Sequence, residues 1–119
     1  MPQSFCQIYL HVVFSTKDRL RWLDDSIRGR VHAYLATLAR DSGCPFVHIG
    51  GTDDHIHVLA DLGKKTAAVP LIGKLKQESS KFVKTLGPEY KEFYWQFQEE
   101  YRAFLERYDI KYDEQYMWE

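Results

Sequence analysis

Between Ser4 and Ser15 the chain alternates with a period of two: Cys6, Ile8, Leu10, Val12 and Phe14 point one way, and Gln7, Tyr9, His11 and Val13 the other. That period fits a β-strand with one dry face and one mixed face, and it fits no helix. Everything else must be arranged around a sheet covered on that dry side. The charged run Lys17-Asp18-Arg19-Leu20-Arg21 reads as the loop that follows. Asp24 or Asp25 can cap a first helix, in which Ile27, Val31, Tyr34, Leu35 and Leu38 recur at helical spacing. Ser42-Gly43 ends it, with glycine suited to a left-handed cap.

Phe46 to Ile49 reads as a second strand, Gly50 to Asp54 as a turn, and His55 to Leu62 as a third strand. In the third strand Ile56, Val58, Ala60 and Leu62 form the apolar face, leaving His55, His57 and Leu59 opposite. A second helix follows Gly63, tolerates Pro70 in its first turn, carries the stripe Ile72, Leu75, Phe82, Val83 and Leu86, and stops at Gly87-Pro88. Glu92 to Gln96 is a short aromatic strand. Phe97, Tyr101, Phe104, Leu105 and Tyr108 then fall at the spacing of a C-terminal amphipathic helix, and the aromatic end (Tyr112, Tyr116, Trp118) packs down on the body. The order β-α-β-β-α-β predicts an α+β, ferredoxin-like split β-α-β sheet, antiparallel, with strands one and three in the middle and both helices on one face.

A length of 119 residues suits one domain over 1–119. No apolar run approaches the ~20 residues of a membrane span, and no secretory pattern opens the chain, so a cytoplasmic protein is expected. Cys6 and Cys44 are too few for a disulfide scaffold or a four-thiolate zinc site and read as reduced, buried thiols. The net charge of −1 argues against a nucleic-acid partner, but its distribution does not. Six lysines lie between Lys64 and Lys84 against one acid, Glu78, whereas nine acids and four basic residues follow from Glu89. A basic stretch beside an acidic tail can hide a phosphate-binding face inside a neutral total, although solvated helix charges give the same pattern.

The one constellation with chemical content is Asp53-Asp54-His55-Ile56-His57. Residues two apart on a strand project to one side, roughly 6–7 Å apart, so two imidazoles can converge on one divalent cation. Imidazole suits zinc, manganese, iron or nickel, and substrate phosphate oxygens bias such a site toward magnesium or manganese. Two half-exposed sheet histidines without a metal would look the same. The face argument favours a site, because His11 on the neighbouring central strand shares the open face. His32 and His48 read as structural or solvent-facing.

At these residues the sequence resembles the insertion-sequence-200-like transposases and their REP-associated relatives, in the HUH (His-hydrophobe-His) nuclease superfamily. The segments that carry the resemblance are 9–19 around His11, 50–59 around His55 and His57, 74–81 in the second helix, and 97–105 through 112–118 at the end. It implies a homodimer that binds a single-stranded or hairpin DNA and cuts beside the hairpin. A tyrosine becomes joined to the 5′ end, and a divalent metal ion, Mg2+ or Mn2+, is held by the two histidines and a side chain of the tyrosine-bearing helix. Carried onto this chain, His55 and His57 are the metal ligands and catalytic residues. His11, Lys17, Arg19, Arg21, Lys74, Lys76, Lys81 and Lys84 are the expected DNA contacts. The chain departs from the pattern where Gln96 abuts Phe97: the few dozen residues that bear the nucleophile are missing there. Tyr90 and Tyr94 flank that junction and are the nearest substitutes among eight tyrosines. A non-catalytic hairpin-binding or regulatory protein is the alternative.

Overall fold

The computed structural model describes residues 3–63, 66–96 and 100–110. Its elements are β1 (Gln3–Ser15), α1 (Arg28–Asp41), β2 (Val47–Gly51), β3 (His55–Asp61), α2 (Ala68–Lys84) and β4 (Glu100–Ile110). They form one antiparallel sheet of order β2-β3-β1-β4, with β1 and β3 central as the split β-α-β pattern requires.

The alternation sets which way each strand faces. Leu10, Val12 and Phe14 of β1 and Ile56, Val58 and Ala60 of β3 are buried. They pack with Val31, Leu35 and Ala39 of α1 and Leu71, Ile72, Leu75 and Val83 of α2, so both helices cover the same side. Ile8, which shares the Leu10 side of the strand, is 41% exposed. Cys44 is a buried free thiol, and burial pushes its pKa up. The side chain of Cys6 lies outside the described residues.

Local chemistry explains most boundaries. Gly43 sits at φ 102°, and a Cβ there would stand 2.8 Å from Thr66 Oγ1, so the residue that ends α1 has to be glycine. The cap of α1 differs from expectation. Asp24 accepts from the backbone N–H and hydroxyl of Ser26 and so closes the turn before the helix, while Ile27 at the N-cap makes no side-chain bond. In α2 the buried residues are Leu71, Ile72, Leu75, Ser79 and Val83, whereas Phe82, half-buried, stacks on Tyr34 with ring centroids 4.2 Å apart, and Leu86, also half-buried, lies past the helix end.

Two expectations fail at the C-terminal end. The strand expected over Glu92–Gln96 is reduced to one bridge between Trp95 and Thr16. Phe93 and Trp95 are instead core residues, and Trp95 Nε1 donates to Ser79 Oγ. The amphipathic helix expected over Phe97–Tyr108 is absent from its described part. Residues 100–110 are β4, paired antiparallel to β1 from Gln3↔Ile110 to Val13↔Glu100. The sequence Tyr-Arg-Ala-Phe-Leu-Glu-Arg-Tyr serves either period, and a long unpaired edge of β1 decides for the extended form, since tertiary pairing overrides local spacing. Residues 97–99 and 111–119, including Tyr112, Tyr116 and Trp118, lie outside the described residues.

His32 is a structural residue on α1. Its Nε2 is buried with no hydrogen-bond partner among the described residues, and burial, aided by the Arg28 charge, lowers its pKa. A depressed folded-state pKa means that the unfolded chain takes up the proton first, so stability is full above about 6.5 and falls as pH drops below it. His32→Leu is therefore expected to flatten the decline in urea midpoint between pH 7 and pH 5. An equally steep decline in the variant would show that His32 is not its source.

Candidate functional site

Both helices cover one side of the sheet, and among the described residues no element covers the other. Register places His11 opposite Leu59, and Val13 opposite His57, on β1 and β3; on β2, His48 lies opposite Leu59 and Gly50 opposite His57. His11, His48, His55 and His57 therefore share the open face. Strand alternation in the sequence identifies three of these four. His48 escapes it, because β2 is too short to reveal its face by alternation. In the fold His48 is exposed and lines a cavity with His11, Gly50, His57 and Leu59.

The imidazoles touch one another. His55 and His57 lie edge to face with ring centroids 4.9 Å apart, and His57 stacks on His11 at 5.4 Å. His57 Nδ1 is 3.2 Å from His11 Nε2, and His55 Nδ1 is 2.9 Å from both Asp54 Oδ1 and Thr52 Oγ1. With Nδ1 of His55 and of His57 engaged, the Nε2 lone pair of each is the one left to coordinate, and for His55 the partner is a carboxylate, as is common for metal-bound histidines. Burial first, then the neighbouring His55 and His11, lowers the pKa of His57 and so favours its neutral form, the form that binds metal. The His55 ring, together with Arg19, holds the Asp54 carboxyl well below the usual carboxylate range. Two imidazoles thus fit as two legs of a divalent site. Among the described residues no group of three or more His, Cys, Asp or Glu side chains completes one.

The turn that carries the pair is fixed by its neighbours. Gly51, at φ 147°, closes the β2–β3 turn where a Cβ would collide with the His55 carbonyl oxygen. Thr16, fully buried, is a supporting residue that sequence reasoning missed. Its N–H and hydroxyl both donate to the Asp54 carbonyl, the hydroxyl also reaches the Leu20 carbonyl, and its backbone bridges to Trp95. A small polar residue at the buried-face position of a strand end is the only signal for it.

Of the expected DNA contacts, Lys17, Arg19 and Arg21 stand at the His55 end of the sheet. Arg19 pairs with Asp54 at 3.2 Å through Nε and Nη2, and Arg21 with Asp53 at 3.7 Å. Asp18 and Arg19 hold positive φ (58° and 57°), a conformation that costs non-glycine residues energy and that the Arg19–Asp54 pair and the Asp18 N–H bond to Gln96 Oε1 offset. The α2 lysines belong to the helix layer, on the other side of the sheet from the histidines. Lys74 is exposed, Lys81 pairs with Glu78 at 3.6 Å, Lys84 lies 4.1 Å over the Tyr94 ring, and Lys76 donates to the Gln96 carbonyl. The fold brings His11, His55 and His57 together on one face with the 17–21 loop at their end, and residues 94–96 link that loop to Lys76 and Lys84 of α2.

The two substitute tyrosines part company. Tyr90 is buried, with its hydroxyl donated to Asp24 Oδ2 at 2.7 Å, while Tyr94 is 54% exposed beside Lys84.

A ferredoxin-like sheet with a His-x-His pair on its open face is the arrangement the sequence resemblance implies, and the comparisons agree on the family. The chain belongs to the IS200-like transposases, whose family model matches residues 4–111. Among solved structures it is similar to a candidate transposase from Deinococcus radiodurans R1, with a TM-score of 0.67 and 20% identity over 82% of this chain and 78% of that one. It is also similar to a REP-associated tyrosine transposase bound to a REP hairpin, with a TM-score of 0.54 and 15% identity over 82% of this chain. The match spans 56% of that second protein, and at these identities both likenesses speak to the fold alone. No curated protein sequence matches the chain. No described helix is long and apolar enough to cross a membrane.

Proposed function

We propose that this chain, acting as one domain in a cytoplasmic homodimer, binds single-stranded and hairpin DNA on the open face of its sheet. The observation that carries the reading is the cluster of His11, His55 and His57 on that face, with Lys17, Arg19 and Arg21 at its end, in a chain of the IS200-like family. His55 and His57 would hold a divalent ion, Mg2+ or Mn2+, which when bound polarises a phosphoryl oxygen. Asp54 and Thr52 orient His55, His11 orients His57, and Arg19 holds Asp54 in place. Lys74, Lys76, Lys81 and Lys84 form a second phosphate surface on the helix layer. A relative bound to a REP hairpin supports hairpin DNA as the partner.

The family reaction is cleavage and rejoining of a DNA strand through a 5′-phosphotyrosine, which conserves the phosphodiester bond energy in a covalent link. A second reading, a hairpin binder that does not cut, is favoured by one observation: Tyr90, one of the two nearest substitutes for the nucleophile, has its hydroxyl buried against Asp24.

Hairpin affinity measured against salt tests the binding reading. Replacing Lys74, Lys81 and Lys84 with glutamine is expected to weaken binding and to reduce the salt slope by roughly 0.7–0.9 for each phosphate that is no longer neutralised. A wild-type affinity indifferent to salt would refute it. A suicide oligonucleotide with Mn2+ separates the two readings. A covalent adduct that vanishes in Tyr94→Phe or Tyr90→Phe establishes the nuclease, and its absence in every metal establishes the binder.

A further inference from the structure

The cavity on the histidine face has a volume of about 290 Å³ and is lined by His11, His48, Gly50, His57 and Leu59. Its layout follows from strand register. His48, Leu59 and His11 stand in one row across β2, β3 and β1, and Gly50 and His57 stand in the next. His48 and His11 are thus two strand spacings apart, roughly 9–10 Å. Leu59 between them is an apolar floor. Gly50 contributes no side chain, and a Cβ placed on it would meet nothing within 4 Å, so the cavity is open on that side. The His57 ring, stacked on His11 with planes 21° apart, bounds the cavity at one end.

We propose that this cavity is a slot for a single unstacked nucleobase of the bound DNA strand. The inference rests on the DNA-binding reading above and specifies where on the sheet the strand is held. Stacked or tilted aromatic rings sit with centroids ~4.5–7 Å apart, so a flat ring standing on Leu59 fills the space between two imidazoles two strands apart. An aliphatic guest would leave the polar imidazole edges unmatched. A base supplies both a π-face for the rings and hydrogen-bonding edges for their nitrogens. Unstacked bases of single strands are bound on aromatic platforms in this way, with little demand on sequence. The slot adjoins His57, one row of the sheet from His55 and the 17–21 loop, so the phosphates flanking a seated base lie near the candidate metal ligands and the basic loop.

An abasic scan tests the slot. A hairpin oligonucleotide with a single-stranded flank is titrated by fluorescence anisotropy, with each flank position made abasic in turn. Wild-type protein is expected to lose about 10-fold in affinity at one position. Gly50→Leu, which fills the cavity from its open side, is expected to lose about as much on the intact oligonucleotide and to become indifferent to the abasic site. Gly50→Ala, whose methyl enters open space, retains the discrimination and serves as the folding control. His48→Ala, at an exposed position on the wall, is expected to shrink the abasic penalty severalfold without altering the salt slope. A scan flat at every position in wild type, or a Gly50→Leu protein that still discriminates, overturns the slot while leaving DNA binding intact. Failure of the intact oligonucleotide to bind wild type overturns the slot and the DNA reading together.

Discussion

Phe14→Ala is expected to lower folding stability by about 3–5 kcal/mol, enough to bring a domain of ordinary stability close to unfolding. Phe14 has no exposed surface and is among the largest fully buried side chains. Its ring packs against Trp95 at 5.5 Å, and Trp95 in turn meets Phe93 edge to face at 4.9 Å. Across the sheet it pairs with Ile56, the residue between His55 and His57. Truncation removes one ring of a three-aromatic cluster centred on Trp95 and leaves a cavity between the sheet and its neighbours. Urea denaturation gives the comparison, with Ile8→Ala as the control: its side chain is 41% exposed and should cost far less. A Phe14→Ala protein within about 1 kcal/mol of wild type would mean that the cluster is not a core.

The second large effect is on metal binding. Replacing His55 and His57 together with alanine is expected to abolish Mn2+ binding, read by calorimetry and by the electron paramagnetic resonance of the free ion. Each ring offers one unengaged Nε2, and no three-donor group among the described residues can substitute. Asp54→Asn is the finer probe. It leaves both ligands in place but weakens the acceptor that orients His55, and removing such an orienting partner from a metal-bound histidine costs about 10–100-fold in affinity. Protons compete with the metal for the same nitrogens. Because His57 titrates below its usual value, it stays available to metal at lower pH than an ordinary imidazole does. Unchanged Mn2+ affinity in the double variant would remove the metal centre from the proposal.

Much of this was legible in the sequence, for identifiable reasons. The alternation in β1 and β3 is strict, so the buried and open faces, and with them the grouping of His11, His55 and His57, followed from a period of two. Gly43 and Pro70 marked helix ends by conformational necessity. The central placement of β1 and β3 followed from element order, although the last strand is 100–110 and not the expected 92–96. What escaped depended on long-range pairing. Residues 100–110 satisfy helical spacing, and only the edge of β1 reveals them as a strand. Trp95 read as part of a strand, whereas its indole donates to Ser79 in the core. His48 lies on a five-residue strand whose burial does not alternate cleanly, and Thr16 contributes through bonds to residues 38 and 4 positions away that no local pattern encodes.

The sheet is one layer thick, with histidines on one surface and the lysines of α2 beyond the other. A single nucleic acid that grips both must turn around the rim formed by residues 94–96, where Lys76 and Lys84 meet the Gln96 carbonyl and the Tyr94 ring. Continuous double helix, with a persistence length of ~50 nm, is too stiff to make that turn cheaply. A stem joined to a freely swivelling single strand bends at its junction at little cost. Under the DNA reading, the slab therefore selects for joints in DNA by stiffness before any base is read.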